Sequence, residues 1–168
     1  MDRIEKTNAM RLLDKAGIVY EALSYPSNGE AADALEVARL LGEPPERIYK
    51  TLVLRGSDGQ HYVCVIPGPF ELNLKKAAAY FEVKSLSMLQ VAQLKPVTGY
   101  TRGGCSPLGM KKPCRTAIDS SAAPLSYIIV SGGQIGLQIK LKPNDLLKAA
   151  GAFFAPLIQK ADEPKTAD

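Results

Sequence analysis

Lys50 stands in the run Tyr49-Lys50-Thr51-Leu52-Val53-Leu54, where period-two alternation puts it on the same side as Leu52 and Leu54. An ammonium at the edge of an apolar face either snorkels to water or is held there to meet negative charge. About fifty residues on, Thr98-Gly99-Tyr100 and Gly103-Gly104-Cys105-Ser106-Pro107-Leu108-Gly109 gather four glycines and a proline. So many glycines are costly in chain entropy unless backbone must approach something closely, and unhindered N–H groups in such a loop suit a developing oxyanion or a phosphate. A tight crossover between strands is the plainer reading. Ser131-Gly132-Gly133 follows a β-rich run and presents a hydroxyl next to a turn signal.

Other machinery is harder to assemble. A Ser-His-acid or Cys-His site needs a base beside its nucleophile, and the chain has one histidine, His61, at the start of a strand, where a structural role is expected. Gly104 to Gly109 is one residue too long for a G-x-S-x-G nucleophile elbow, and Ser131 to Gly136 opens on serine where a dinucleotide fingerprint needs glycine. Cys64 alternates with Tyr62 and Ile66 and reads as a small buried hydrophobe. Cys105 lies in the glycine loop, where a thiol could be exposed, and is expected to be a spectator. Three cysteines at unrelated spacings fit neither a disulfide framework nor a zinc site, so reduced thiols and no metal are expected.

The elements that must carry these residues alternate between helix and strand. Thr7 caps a helix with Ala9, Leu12, Leu13 and Ala16 on one face, stopped by Gly17. Val19 to Tyr25 reads as a strand, and Ala34, Val37, Ala38 and Leu41 as a second helix closed by Gly42. Ile48 to Leu54 and His61 to Ile66 form a hairpin across Gly56-Ser57-Asp58-Gly59. Asn73 caps a helix burying Leu74, Ala77, Ala78 and Phe81, and Ser87 is expected to cap another with Met88, Val91 and Ala92 inward. Strands follow at Thr116 to Ile118, Tyr127 to Val130 and Leu137 to Leu141, then a helix from Pro143-Asn144-Asp145 to Gly151. The fold class expected is α+β: a mixed, largely antiparallel sheet curled toward a barrel, with helices packed around it.

Length and composition fit one domain over residues 1–158 with a polar tail over 159–168: 168 residues, 46% hydrophobic, 23% charged. No apolar run approaches the roughly 20 residues of a membrane-spanning helix, so no membrane partner is expected. Met1-Asp2-Arg3-Ile4-Glu5-Lys6 lacks the apolar core of a signal peptide, which points to the cytoplasm. With 21 Lys+Arg against 17 Asp+Glu, the net charge of +4 permits nucleic-acid contact through a local patch without requiring it.

Taken in order, Lys6-Thr7-Asn8-Ala9, Lys50-Thr51-Leu52, Leu74-Lys75-Lys76, Thr98-Gly99-Tyr100, Gly103 through Gly109, Lys111-Lys112 and Val130-Ser131-Gly132-Gly133 resemble the YbaK-type Cys-tRNA(Pro) deacylases, over about residues 6 to 155. The most specific piece is G-x-x-x-P, Gly103 to Pro107. The resemblance implies a cofactor-free enzyme that clears cysteine in trans from tRNA for proline, and from Cys-tRNA(Cys), with prolyl-tRNA synthetase as a partner. It implies no protein nucleophile: the substrate's own thiol attacks its ester carbonyl. It further implies that Lys50 and Gly103 are catalytic, that Tyr25, Thr51, Gly104, Ser106, Pro107, Ser131 and Gln138 bind substrate, and that Lys75, Lys76, Lys111, Lys112 and Arg115 contact tRNA. Gln138 stands where cysteine-specific members often have aspartate, which leaves a dipole where a charge would face the substrate amine. Two further readings stay open on the residues alone: an alanine or serine deacylase of the same fold in which water attacks, and a non-catalytic tRNA-binding module.

Overall fold

The computed structural model describes residues 5–161. The segment read for a leader therefore lies largely outside the described residues (1–4), as does most of the polar tail (162–168). Among the described residues, eight strands and five α-helices follow one another in mixed order. A three-stranded sheet has the order β1 (Glu21–Ser24), β7 (Leu137–Leu141), β6 (Ile128–Gln134), antiparallel throughout. A five-stranded sheet has the order β4 (Leu86–Met88), β2 (Tyr49–Gly56), β3 (His61–Pro67), β5 (Arg115–Asp119), β8 (Phe153–Ala155), with β3, β5 and β8 parallel. Ile48 bridges in parallel to Ile129, so the sheets meet where β2 begins and curl toward each other. This is the α+β arrangement expected.

Between the sheets lies a core to which β2, β3 and β5 contribute Val53, Val63, Val65 and Ile118, and β6 and β7 contribute Ile128, Val130, Leu137 and Ile139. Helix α1 (Asn8–Lys15) closes one side with Ala9, Met10 and Leu13. Thr7 accepts at Oγ1 from Met10 N–H as the N-cap, and its hydroxyl donates to Gly132 O at 2.6 Å, pinning the helix to β6. On the outer face of the larger sheet, α3 (Leu74–Phe81) buries Ala77, Ala78 and Phe81 against Leu54, Cys64 and Ile66, capped by Asn73 as expected. Helix α2 (Ala34–Leu41) sets Val37 and Ala38 against Tyr25, Ile48 and Ile129, and α5 (Pro143–Ala150) runs to Gly151.

Three expectations change. Strand β1 is shorter than Val19 to Tyr25, because its partner β7 reaches only from Ser24 back to Glu21; Val19 is 87% exposed. Ser87 does not cap a helix. The free edge of β2 pairs with residues 86–88 as β4, and α4 (Val91–Thr98) starts later, behind Gln90, without a side-chain cap. Ladder hydrogen bonds replace the local cap there, leaving Met88 and Val91 outward and Val97 and Thr98 inward. Gly132-Gly133 is not a turn: β6 runs through it to Gln134, with a register shift between Ser131 and Gln134 that a positive φ of 107° at Gly133 accommodates.

Candidate active site

At the junction of the sheets a cavity of about 150 Å³ opens. Lys50 and Thr51 from β2, Ser131 from β6, Gln138 from β7, and Gly103 and Cys105 from the glycine loop all line it. Ser131 and Gln138 are partners in the β6–β7 ladder. Ala32, Ala34, Val37, Ile48 and Tyr49 complete the wall. Lysine and glycine loop, far apart in the sequence, therefore face one space.

Lys50 donates from Nζ to Gly68 O at 3.1 Å. Burial pushes its pKa down from the usual lysine value, opposed by the nearby Glu71 carboxylate. Its neighbour Thr51 alternates onto the opposite side, with Tyr49 and Val53, and its Oγ1 is buried and makes no hydrogen bond among the described residues. Such an atom costs about 1–3 kcal/mol unless something outside the chain completes it. Gln138 is 5% exposed, and among the described residues its side-chain amide makes no hydrogen bond.

The glycine loop is held in shape from its two ends. Thr98 Oγ1 donates to Leu94 O at 2.7 Å and accepts from Tyr100 N–H at 3.0 Å, and Tyr100 Oη donates to Leu108 O at 2.5 Å across the loop. Gly103 has φ +84°, and a Cβ built on it would stand 2.5 Å from Ala31 Cβ, so position 103 suits glycine on two counts. Gly104 N–H closes a turn to Thr101 O at 3.0 Å, while the N–H groups of Gly103, Cys105 and Ser106 make no hydrogen bond among the described residues. Amides of this kind are donors for an oxyanion.

The lining contains no aspartate, glutamate or histidine. His61 pairs with Arg55, five residues along β2 from Lys50, about 17 Å away. Cys105 is buried rather than exposed, and burial raises its thiol to about 12, so it is protonated at neutral pH. Cys64 is fully buried, as expected.

A family model described as the aminoacyl-tRNA editing domain matches residues 28–149, which include every residue of this lining. The chain belongs to the aminoacyl-tRNA editing domain family. A protein of Enterococcus faecalis named "Putative Cys-tRNA(Pro)/Cys-tRNA(Cys) deacylase EbsC" is 41% identical over 93% of this chain and 95% of its own length. The proline–tRNA ligase of Kosmotoga olearia is 30% identical over 81% of this chain, which spans 24% of the ligase. Among solved structures, one described as "a putative trans-editing enzyme for prolyl tRNA synthetase" has the same fold, with a TM-score of 0.81 at 24% identity over 91% of this chain and 96% of that one.

Not every residue expected in the site of this editing domain lines the cavity. Tyr25, 6% exposed, packs with Val37 and Ile48 and lines a neighbouring hollow with Ala31, Ala32 and Asp33. Gly104 lies against the Gln134 backbone, where a Cβ would meet Cα at 2.9 Å. Ser106 is fully buried and accepts at Oγ from Leu108 N–H at 3.3 Å, and Pro107 lines a separate hollow with Leu108 and Cys114. Gly104, Ser106 and Pro107 shape the loop from behind. Of the five basic residues, Lys75, Lys111, Lys112 and Arg115 are exposed. Lys76 donates to Ile158 O at 3.0 Å, and Arg115 donates to Phe81 O at 3.1 Å with its guanidinium 5.4 Å from the Phe81 ring. The apolar wall escaped prediction, because Ala32, Ala34, Val37 and Ile48 look like ordinary helix and strand interior. The positive φ at Gly103 was signalled only by its glycine.

Proposed function

We propose that this editing domain deacylates Cys-tRNA(Pro) in trans, and Cys-tRNA(Cys) with it, using the substrate's own thiol. The observation that carries this reading is a cavity rich in donors and without a base: Lys50, Gly103 and the neighbouring amides on one side, no imidazole or carboxylate in the lining, and a protein thiol that stays protonated. Water attack needs a general base, and a protein nucleophile needs activation; the lining offers neither.

With the cysteinyl ester in the cavity, its sulfur attacks the ester carbonyl carbon. A C–S bond forms, the C–O bond to the terminal ribose breaks, and the electron pair and the thiol proton pass to the ribose oxygen, giving free tRNA and a cyclic thioester. An intramolecular thiol held in line has an effective molarity on the order of 10⁵ M or more, so geometry replaces a nucleophile. The Gly103 loop amides take the negative charge on the carbonyl oxygen, and Lys50, a cation between apolar walls, stabilises that charge as it develops. Thr51 Oγ1 gains a partner when the substrate enters, and Gln138 and Ser131 orient the amine end. The exposed Lys75, Lys111 and Lys112 take tRNA phosphates, and the setting is the cytoplasm, with prolyl-tRNA synthetase as the enzyme whose errors are cleared.

The test is release of amino acid from Cys-tRNA(Pro), Ala-tRNA(Pro) and Ser-tRNA(Pro) by the wild type and Lys50→Ala. Cysteine alone should be released, and far more slowly by Lys50→Ala than by the wild type. Equal release of alanine or serine sinks thiol-assisted chemistry in favour of attack by water, and tRNA binding without turnover makes the chain a binding module.

A further inference from the structure

A cavity of about 150 Å³ is smaller than the roughly 300–1,000 Å³ of sites that enclose a whole small ligand, so it admits an aminoacyl group and leaves the nucleoside bearing it outside. The nearby surface is built where the turn after β3 meets the start of α2. Gly68 lies so close to Ala34, a lining residue, that a Cβ on the glycine would stand 2.2 Å from Ala34 Cβ. Gly68 O accepts from Lys50 Nζ at 3.1 Å, Gly68 N–H donates to Ile48 O at 2.7 Å, and Phe70 N–H donates to Pro67 O at 3.1 Å. Pro67 and Pro69 fix two further φ angles. The turn is rigid and tied to the catalytic lysine, yet the ring it presents packs into none of the hydrophobic clusters: Phe70 is 40% exposed. Leu35, next to Ala34 on α2, is 56% exposed. Single exposed apolar side chains are ordinary. Phe70 is two residues from Gly68 and Leu35 is one from Ala34, so the Ala34–Gly68 contact brings two exposed apolar residues from different elements near the wall of an undersized cavity, where they can serve as an apolar rim.

We infer that Phe70, with Leu35 completing the rim, is the platform on which the 3′-terminal base of the tRNA stacks while its ester occupies the cavity. The inference rests on the deacylase reading above for its substrate. An aromatic face accepts any base, contributes about 1–3 kcal/mol per stacked base, and needs no hydrogen-bond readout. It fixes the ribose oxygen relative to Lys50 without enlarging the cavity.

The experiment is a cycle. Deacylation of Cys-tRNA(Pro) is measured for wild type, Phe70→Ala and Phe70→Trp, each with the natural terminal nucleotide and with an abasic one. Phe70→Ala should raise KM about tenfold on the natural substrate, Phe70→Trp should restore it, and the difference between wild type and Phe70→Ala should vanish on the abasic substrate. A tRNA carrying 2-aminopurine as its terminal base should be quenched on binding the wild type and not Phe70→Ala, a readout independent of turnover. Quenching by wild type alone, without deacylation, would remove the activity and keep the platform. Equal quenching by both proteins, or a KM defect that persists on the abasic substrate, overturns it and leaves the rim to a protein partner.

Discussion

Lys50 and Thr51 are adjacent residues with opposite liabilities, a cation partly withdrawn from water and a hydroxyl with nothing to bond. Each is costly to the empty fold, so each should trade stability against activity. Thr51→Val removes the orphan hydroxyl at constant shape and should stabilise the protein by about 1 kcal/mol, raising Tm by about 2–4 °C in a thermal melt, while lowering kcat/KM for Cys-tRNA(Pro). Lys50→Ala should reduce deacylation about 10²–10³-fold, the usual loss for one preorganised donor, read as single-turnover release of cysteine. Cys105 gives the opposite test. Removing a true nucleophile costs on the order of 10⁶-fold, whereas Cys105→Ser should stay within about tenfold of the wild type. With its thiol raised to about 12 by burial, Cys105 is almost wholly protonated at pH 8, and its reactivity grows only as pH climbs toward that value. Alkylation at pH 8 followed by peptide mapping should therefore find the half-buried Cys114 labelled well ahead of Cys105.

At the scale of elements, the site depends on contacts outside its lining. Asp119 ends β5 at 2% exposure and accepts at Oδ1 from Leu157 N–H at 2.8 Å and Ile158 N–H at 3.3 Å, and at Oδ2 from Ser121 N–H at 3.1 Å. Asp119→Ala leaves those amides unanswered under β8 and should cost about 2–4 kcal/mol in a urea melt, with m little changed. Elements with a local signal were legible in the sequence. Thr7 and Asn73 cap helices through their own side chains, and Leu137 to Leu141 alternates cleanly as β7. Elements decided by a partner were not. Residues 86–88 became a strand because β2 had a free edge, and Phe153–Ala155 adds a parallel strand three residues long, too short to leave a periodic pattern. The site divides in the same way. Lys50, Thr51, Gly103 and Ser131 were legible as lining residues because each carries a distinctive chemical type in a motif, and Gln138 because it departs from the aspartate of similar proteins. Gly104, Ser106 and Pro107 belong to those motifs and stand behind the wall, and Tyr25 lines a neighbouring hollow, a distinction that only the third dimension draws.

For the whole molecule, association with tRNA is a matter of which charges remain available. The net charge is +4, but Lys76 holds the Ile158 carbonyl and Arg115 closes α3 through the Phe81 carbonyl. With Lys75, Lys111 and Lys112 exposed, the plot of log Kd against log salt should have a slope of about 2 to 3 units, falling by about one unit each for Lys111→Ala and Lys112→Ala. Filter binding across a salt series reads this directly, and a flat plot would remove those lysines from the interface. On the thiol-assisted mechanism proposed above, a lining without a base to activate a nucleophile also decides how errors are told from correct products. A prolyl ester that strays into the cavity brings no sulfur with which to cut itself loose, so it departs intact whether or not it fits. Proofreading of this sort leaves the choice to the cargo: the mistake supplies the blade, and the protein only has to hold it still.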